Sequence, residues 1–167
     1  MKKLILFLLV LSMSFSSCEK DDICDAATET TPKLIIEFYD ILNPTVLKKV
    51  TNLAVKEIGI TSAVIPFISE SKIELPLKTN EDITKYSLIL NSTDVTIDNE
   101  DFLQFNYTRQ NIFVSRACGY KTIFTLDPTT PFIKTETSTP DGYWIQNITV
   151  ETSNITTENE IHIKIYF

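Results

Sequence analysis

Apolar and polar residues alternate with a period of two along most of this chain. The most regular run is the last one, where four apolar residues alternate with polar ones: Ile161, Ile163, Ile165 and Phe167. Shorter runs of the same kind begin near residues 33, 71, 86, 103, 118 and 144. Because successive side chains of a strand point to opposite faces, each run predicts a strand with one buried face.

Turn residues separate these runs. Asn43-Pro44 ends the first run, and Asp127-Pro128 and residues 139–142 end later ones. We also predict a tight turn near Gln110-Asn111, between two apolar runs. These signals divide the chain into eight or nine short strands.

Two segments have a less regular pattern than the other runs. Pro76 lies within the run 71–78, and because proline lacks the N–H that a ladder requires, we predict an edge strand there. The apolar residues of segment 46–58 fit a helical stripe as well as a strand. We interpret residues 51–58 as a strand, and the sequence leaves the helical alternative open.

Many short strands without a long helix are typical of a two-sheet sandwich. The chain has only three glycines, and it is rich in β-branched and aromatic residues, which suit a pleated, half-buried surface. We therefore predict an all-β domain over residues 33–167, with an immunoglobulin-like or Greek-key sandwich fold.

The N-terminus has the pattern of an export signal. Met1-Lys2-Lys3 precedes an apolar run at residues 4–11, which is too short for a spanning helix, and Ser16-Ser17 stands directly before Cys18. This order resembles the lipobox of bacterial lipoproteins, in which the cysteine is acylated. It predicts a cleaved signal peptide at 1–17, lipidation of Cys18 and a polar tether at 18–32. The alternatives are a signal peptide cut elsewhere and an uncleaved weak anchor.

Charge and cysteine content narrow the function classes. Loss of Lys2 and Lys3 leaves 13 Lys and Arg against 22 Asp and Glu, a net charge of −9. An acidic chain without a basic stripe is a poor nucleic-acid binder. With Cys18 acylated, Cys24 and Cys118 remain as an even pair in an oxidising compartment, which predicts a disulfide, with two buried thiols as the alternative. No Cys-x-x-Cys occurs, so neither a metal nor another cofactor is expected.

Candidate catalytic groups are few. His162 is the only histidine, and the alternation places it beside Lys164 on the outward face of the last strand. No nucleophile elbow, phosphate-binding glycine loop or zinc-protease motif is present. Asp94 and residues 98–101 offer oxygen ligands for calcium, but the spacing is not that of an EF-hand, and a solvated turn is the favoured interpretation.

Tyr143 and Trp144 are the candidate ligand-binding aromatics. They would form a platform for a sugar or a protein partner, to which Tyr39 and Tyr107 would add. Sandwich cores commonly bury one tryptophan, and burial is the favoured alternative for Trp144.

Several blocks in order resemble a family of uncharacterised bacterial lipoproteins, a domain of unknown function. The blocks are DDIC (21–24), TPKLIIEFYD (31–40), LPL (75–77), SRACGY (115–120) and HIKI (162–165). The resemblance implies no activity, and it supports pairing of Cys24 with Cys118. Residues 18–22 are also similar to the signal that exports some Gram-negative lipoproteins to the cell surface, which implies surface display rather than a periplasmic orientation.

Together these observations predict an outer-membrane lipoprotein that is not an enzyme. Its partners would be the membrane, through the lipid anchor, and an envelope protein or glycan that it binds or supports. The alternative is a hydrolase of envelope or extracellular polysaccharide, which needs only two suitably placed carboxylates. The sequence does not specify the ligand or the oligomeric state.

Overall fold

The computed structural model describes residues 23–59, 64–138 and 140–167. The predicted signal peptide 1–17, the predicted lipidation site Cys18 and residues 18–22 of the predicted tether lie outside the described residues. The described part of the chain contains eleven strands and no helix. The strands are β1 (Leu34–Tyr39), β2 (Leu53–Glu57), β3 (Ile65–Phe67), β4 (Lys72–Leu75), β5 (Ile83–Leu90), β6 (Asn99–Ser115), β7 (Gly119–Leu126), β8 (Phe132–Glu136), β9 (Asn147–Val150), β10 (Asn154–Ile155) and β11 (Ile163–Tyr166).

The strands form two sheets. The small sheet has the order β4-β1-β11-β9, and the large sheet has the order β10-β7-β6-β5-β2-β3. In the small sheet β1 and β11 are parallel, with Ile36 opposite Ile163, and the other pairs are antiparallel. The first and last strands of the domain therefore lie side by side in the middle of this sheet.

Strand β6 organises the large sheet. Its first half pairs with β5 on one edge and with β8 on the other, and its second half pairs with β7. Asn106 accepts from the N–H of Asp127 and donates to the carbonyl of Pro131, so β7 and β8 follow one another along the same edge of β6. At about 3.3 Å per residue, this 17-residue strand is roughly 50 Å long.

The apolar faces of the two sheets meet in one core. β1 and β11 supply Leu34, Phe38 and Ile165 from the small sheet, and the large sheet supplies residues such as Leu88 and Phe105, all buried. The predicted all-β sandwich is confirmed, with more strands than the eight or nine expected. The extra strands are short, such as the two-residue β10, and have no alternation of their own.

The structure confirms two of the local predictions and contradicts a third. Segment 46–58 contains strand β2 and no helix, and β4 lies at the edge of the small sheet with Pro76 directly after it. The turn predicted near Gln110-Asn111 is wrong, because β6 runs through both residues. They are polar because they lie in an exposed hairpin, where Asn111 accepts a hydrogen bond from the Thr122 hydroxyl across the ladder. The chain turns instead at residues 116–118, and Gly119, with φ of +70°, begins β7.

Candidate functional site

The tether is fixed to the turn of the β6–β7 hairpin. Cys24 and Cys118 form a disulfide with their Cα atoms 4.9 Å apart, as predicted. Two further contacts follow along the chain: the Glu29 carboxylate lies 2.6 Å from the Lys121 ammonium, and the Thr31 hydroxyl accepts from the Thr122 N–H at 3.0 Å. Residues 24–31 are thus attached to the hairpin by one covalent bond at its turn and by two polar contacts to β7.

Residues 113–120, which we call the hairpin tip, carry two exposed aromatic rings. Phe113 and Tyr120 face each other across the β6–β7 ladder, with ring centroids 5.4 Å apart in an edge-to-face arrangement. Phe113 is 57% exposed and Tyr120 is 69% exposed. Beside them the disulfide and Tyr120 line a groove of about 250 Å³ together with Thr31. This end of the molecule therefore combines the tether, the disulfide and an apolar surface.

The two candidate ligand-binding aromatics lie on different sides of the chain. Trp144 is buried, with its indole N–H 3.1 Å from the Leu88 carbonyl and its ring packed against Phe38 and Phe167. Tyr143 is 44% exposed, and the Lys134 ammonium lies 4.1 Å from the centre of its ring. Trp144 is a core residue, so Tyr143 alone is available to a ligand.

The other two tyrosines proposed for an aromatic platform do not extend it. Tyr107 is buried and donates its hydroxyl proton to the Lys78 carbonyl. Tyr39 packs on Tyr166, its cross-strand partner, with ring centroids 5.7 Å apart, and its hydroxyl donates to Glu37. Neither tyrosine therefore adds to a platform at Tyr143, whose ring contacts Lys134.

Asp101 is a buried carboxylate in the large sheet. Its Oδ2 atom accepts from the Ile145 N–H at 2.8 Å, and Glu136 is its cross-strand neighbour on β8. Burial raises the pKa of Asp101 to about 6, and nearby Lys134 opposes the rise. Lys134 in turn donates to the Ile145 carbonyl. Asp101 and Lys134 thus hold the segment that carries Trp144 into the core.

The acids considered for calcium do not converge. Asp94 accepts from the hydroxyl and the backbone N–H of Thr96, which lowers the pKa of Asp94, and Glu100 accepts from the Ser87 hydroxyl. Asp101 faces the core, whereas Asp98 is exposed. Within the described ranges, no group of three or more His, Cys, Asp or Glu residues is placed to hold a metal ion.

His162 corrects a sequence prediction. It was expected on an outward, solvated face, but its side chain is only 1% exposed. Its ring Nδ1 accepts from the Ile35 N–H at 2.9 Å, while the backbone N–H of His162 donates to the Ile35 carbonyl at 3.1 Å. The imidazole therefore completes the pairing of β1 with the start of β11. Burial lowers the pKa of His162, which keeps Nδ1 free of a proton and able to accept.

The pH dependence of stability tests the description of Asp101. Because its folded pKa of about 6 lies above the ordinary 3.8, its contribution to stability is full below about pH 4 and is lost as the pH rises through 6. The two pKa values differ by an amount equivalent to roughly 3 kcal/mol. We therefore expect the free energy of unfolding of Asp101→Asn minus that of the wild type to rise by roughly 3 kcal/mol from about pH 4 to pH 7.5. Urea denaturation at each pH measures this difference.

Two controls isolate this effect. Asp98→Asn removes an exposed carboxylate close in sequence and should change little across the same range. The contribution of His162 to stability is lost as the pH falls below about 6.5, because its pKa is lowered on folding. Both proteins contain His162, so this contribution cancels in their difference. An Asp101→Asn difference that does not vary with pH would contradict a buried, proton-binding carboxylate.

Asp101 was considered only within the acidic segment 98–101, although its position in the strand indicates a buried carboxylate. Asp101 shares its strand face with Leu103, Phe105 and Tyr107, all of which are buried. A carboxylate in register with an apolar face is unusual and indicates a paired or proton-binding acid. No such signal existed for the hairpin tip, because its position beside the tether depends on the disulfide.

In the described part of the chain, no helix is long and apolar enough to cross a membrane.

Comparisons with known proteins give one result. Neither the curated proteins nor the solved structures contain a match to the sequence. A family model, described as a family of unknown function, DUF6452, matches residues 50–167, which include every strand from β2 to β11. The match covers well over half of the sequence, and on this ground the chain belongs to the DUF6452 family of unknown function.

Proposed function

We propose that this protein is an outer-membrane lipoprotein whose sandwich domain binds or supports another envelope component without catalysing a reaction. The observation that carries the proposal is the Cys24–Cys118 disulfide. It lies six residues after Cys18, the proposed lipidation site, and fixes the tether to the domain. Disulfides persist in oxidising compartments outside the cytosol, which agrees with export by the signal at 1–17.

The state of the reactive side chains supports a non-catalytic role. His162 is buried and uses Nδ1 to accept from Ile35, so that atom is not available as a general base. Asp101 has a raised pKa, but it is buried and engaged with the Ile145 N–H. A catalytic group must reach the reacting atoms of its substrate, and neither side chain has that access.

A surface suited to a protein or glycan partner surrounds Tyr143. Its half-exposed ring, with Lys134 over one side, offers an apolar face next to a cation, a combination found in protein and sugar recognition sites. We propose this surface as the place where an envelope component binds. Residues 18–22 favour display on the outer surface of the outer membrane.

Metabolic labelling with an alkyne analogue of palmitate tests the anchor. We expect the wild-type protein to be labelled and to sediment with outer membranes, because two or three acyl chains hold a protein that one chain holds weakly. Cys18→Ser lacks the acylated cysteine, and we expect it to lose the label and leave the membrane fraction. The double variant Cys24→Ser/Cys118→Ser is the matched control, since it removes two cysteines but keeps Cys18. Label retained in Cys18→Ser would refute the proposal.

Polysaccharide hydrolysis is the second candidate function. It is favoured by one observation, the raised pKa of Asp101 opposite Glu136, because glycosidases use two carboxyl groups of which one holds a proton. Asp101 is buried in this structure, so this function requires a rearrangement that exposes it to substrate. Purified protein incubated with envelope and extracellular polysaccharides would release reducing ends, and Asp101→Asn would abolish the release. Equal release by both proteins, or none, would count against this function.

A further inference from the structure

We infer that the hairpin tip, residues 113–120, rests on the lipid bilayer that holds Cys18, with Phe113 and Tyr120 at the interface. The inference rests on the proposed lipidation of Cys18. Cys24 follows Cys18 by six residues, so their Cα atoms are at most about 20 Å apart even if the chain between them is fully extended. The disulfide, with its Cα atoms 4.9 Å apart, then places Cys118 at the hairpin tip within about 25 Å of Cys18.

The exposed groups at the hairpin tip suit an interface of lipid and water. Single exposed apolar residues are common on proteins, but Phe113 and Tyr120 form a contacting pair on adjacent strands. Tyrosine combines an apolar ring with a polar hydroxyl, and aromatic residues are enriched at the level of lipid headgroups for this reason. Ile23, next to the disulfide, adds a further apolar side chain that is 83% exposed.

Charge at the hairpin tip is compatible with contact to headgroups. The chain as a whole is acidic, but the turn itself carries Arg116, which is exposed. Two acids lie close to the disulfide along the chain: Asp25, directly after Cys24, is exposed and accepts from the Ala27 N–H at 2.9 Å, and Glu29 is paired with Lys121 at 2.6 Å. A guanidinium beside two aromatic rings would meet the phosphates of lipid headgroups while the rings enter the interface.

The inference also sets the orientation of the domain. The loop that contains Val95 lies just before the other end of β6, and Phe113 is roughly 45 Å from the start of that strand. With the hairpin tip on the bilayer, we expect this far loop to stand clear of the membrane. Val95 is 85% exposed and therefore offers a matched control position.

Quenching by brominated lipids tests the contact. Full-length, lipidated protein is reconstituted into phosphatidylethanolamine and phosphatidylglycerol vesicles with and without brominated acyl chains, as Phe113→Trp, Tyr120→Trp and Val95→Trp variants. The emission of buried Trp144 is measured in the parent protein and subtracted. We expect the added tryptophan at position 113 or 120 to be quenched several-fold more than the one at 95.

Flotation of the vesicles separates the two proposals. If the parent protein floats with the vesicles and the three variants are quenched equally or not at all, the contact of the hairpin tip is refuted while the lipid anchor stands. If the lipidated preparation does not float, the anchor fails and the contact fails with it. Two tip positions are used because either substitution alone could disturb the Phe113–Tyr120 pair.

Discussion

Replacing Trp144 with alanine is expected to lower the free energy of unfolding by about 3–5 kcal/mol. The indole is almost fully buried, where it packs edge-to-face on Phe167 and beside Phe38. Its removal leaves a cavity between the sheets and deprives the Leu88 carbonyl of its donor. Chemical denaturation followed by circular dichroism measures the loss without relying on tryptophan fluorescence.

Two variants sharpen this prediction. Trp144→Phe keeps an aromatic ring but removes the N–H, and should cost less than the alanine variant because the cavity is smaller. Tyr143→Ala, at the adjacent residue, should cost about 1 kcal/mol or less, because it removes a half-exposed ring and its contact with Lys134. Similar losses for Trp144→Ala and Tyr143→Ala would contradict the assignment of Trp144 to the core.

The same pair of variants separates stability from binding. If the surface around Tyr143 binds an envelope component, Tyr143→Ala should lose that partner in a cross-linking pull-down from membranes while the domain stays folded. Trp144→Phe, with Tyr143 and Lys134 intact, should retain the partner. An equal yield from both variants would move the binding surface elsewhere on the domain.

The fold class was predictable because one buried face makes a strand visible in sequence. β11 alternates over its whole length, and in β1 Leu34 and Phe38 point into the core whereas Glu37 does not. Ile35, on the opposite face of β1, is also buried and interrupts the alternation there. The pairing of these two strands was not predictable. Their parallel contact joins residues more than 120 positions apart, and no local pattern encodes a partner at that distance.

The errors arose where polar residues were taken to mark a turn or an outward, solvated face. Gln110 and Asn111 were interpreted as a turn because they are polar, yet they lie within a long strand whose second half is exposed. His162 was placed in solvent for the same reason, although its ring accepts a backbone hydrogen bond inside the protein. A polar residue with a backbone partner can be buried at little cost, and the partner is visible only in three dimensions.

The candidate site was predictable in its chemistry and not in its position. The even cysteine pair indicated a disulfide, but sequence alone did not show that Cys118 lies at the turn of a hairpin. Phe113 and Tyr120 are unremarkable in sequence, because strands commonly contain aromatic residues. They stand out only when the ladder places them opposite each other and beside the tether.

Removing the disulfide is expected to have a comparably large effect. The bond between Cys24 and Cys118 closes a loop of 94 residues, which restricts the unfolded chain. Loss of a native disulfide from small secreted domains in general costs about 2–5 kcal/mol. Cys24→Ser/Cys118→Ser should therefore unfold at lower denaturant concentration. The N–H of Thr122, which donates to Thr31, should also exchange faster with solvent, because the tether is no longer fixed to β7.

Reduction of the wild-type protein provides the matched control. With a thiol reductant the wild type should approach the stability of the double variant, and the variant itself should not respond, because both proteins then lack the same bond. Protein reconstituted through Cys18 should also lose much of the bromolipid quenching at Phe113→Trp once reduced, since the hairpin tip is then held near the tether only by the Glu29–Lys121 and Thr31–Thr122 contacts. Unchanged unfolding together with unchanged quenching would show that these polar contacts suffice, and that the disulfide is not needed to hold the hairpin tip near the vesicle lipid.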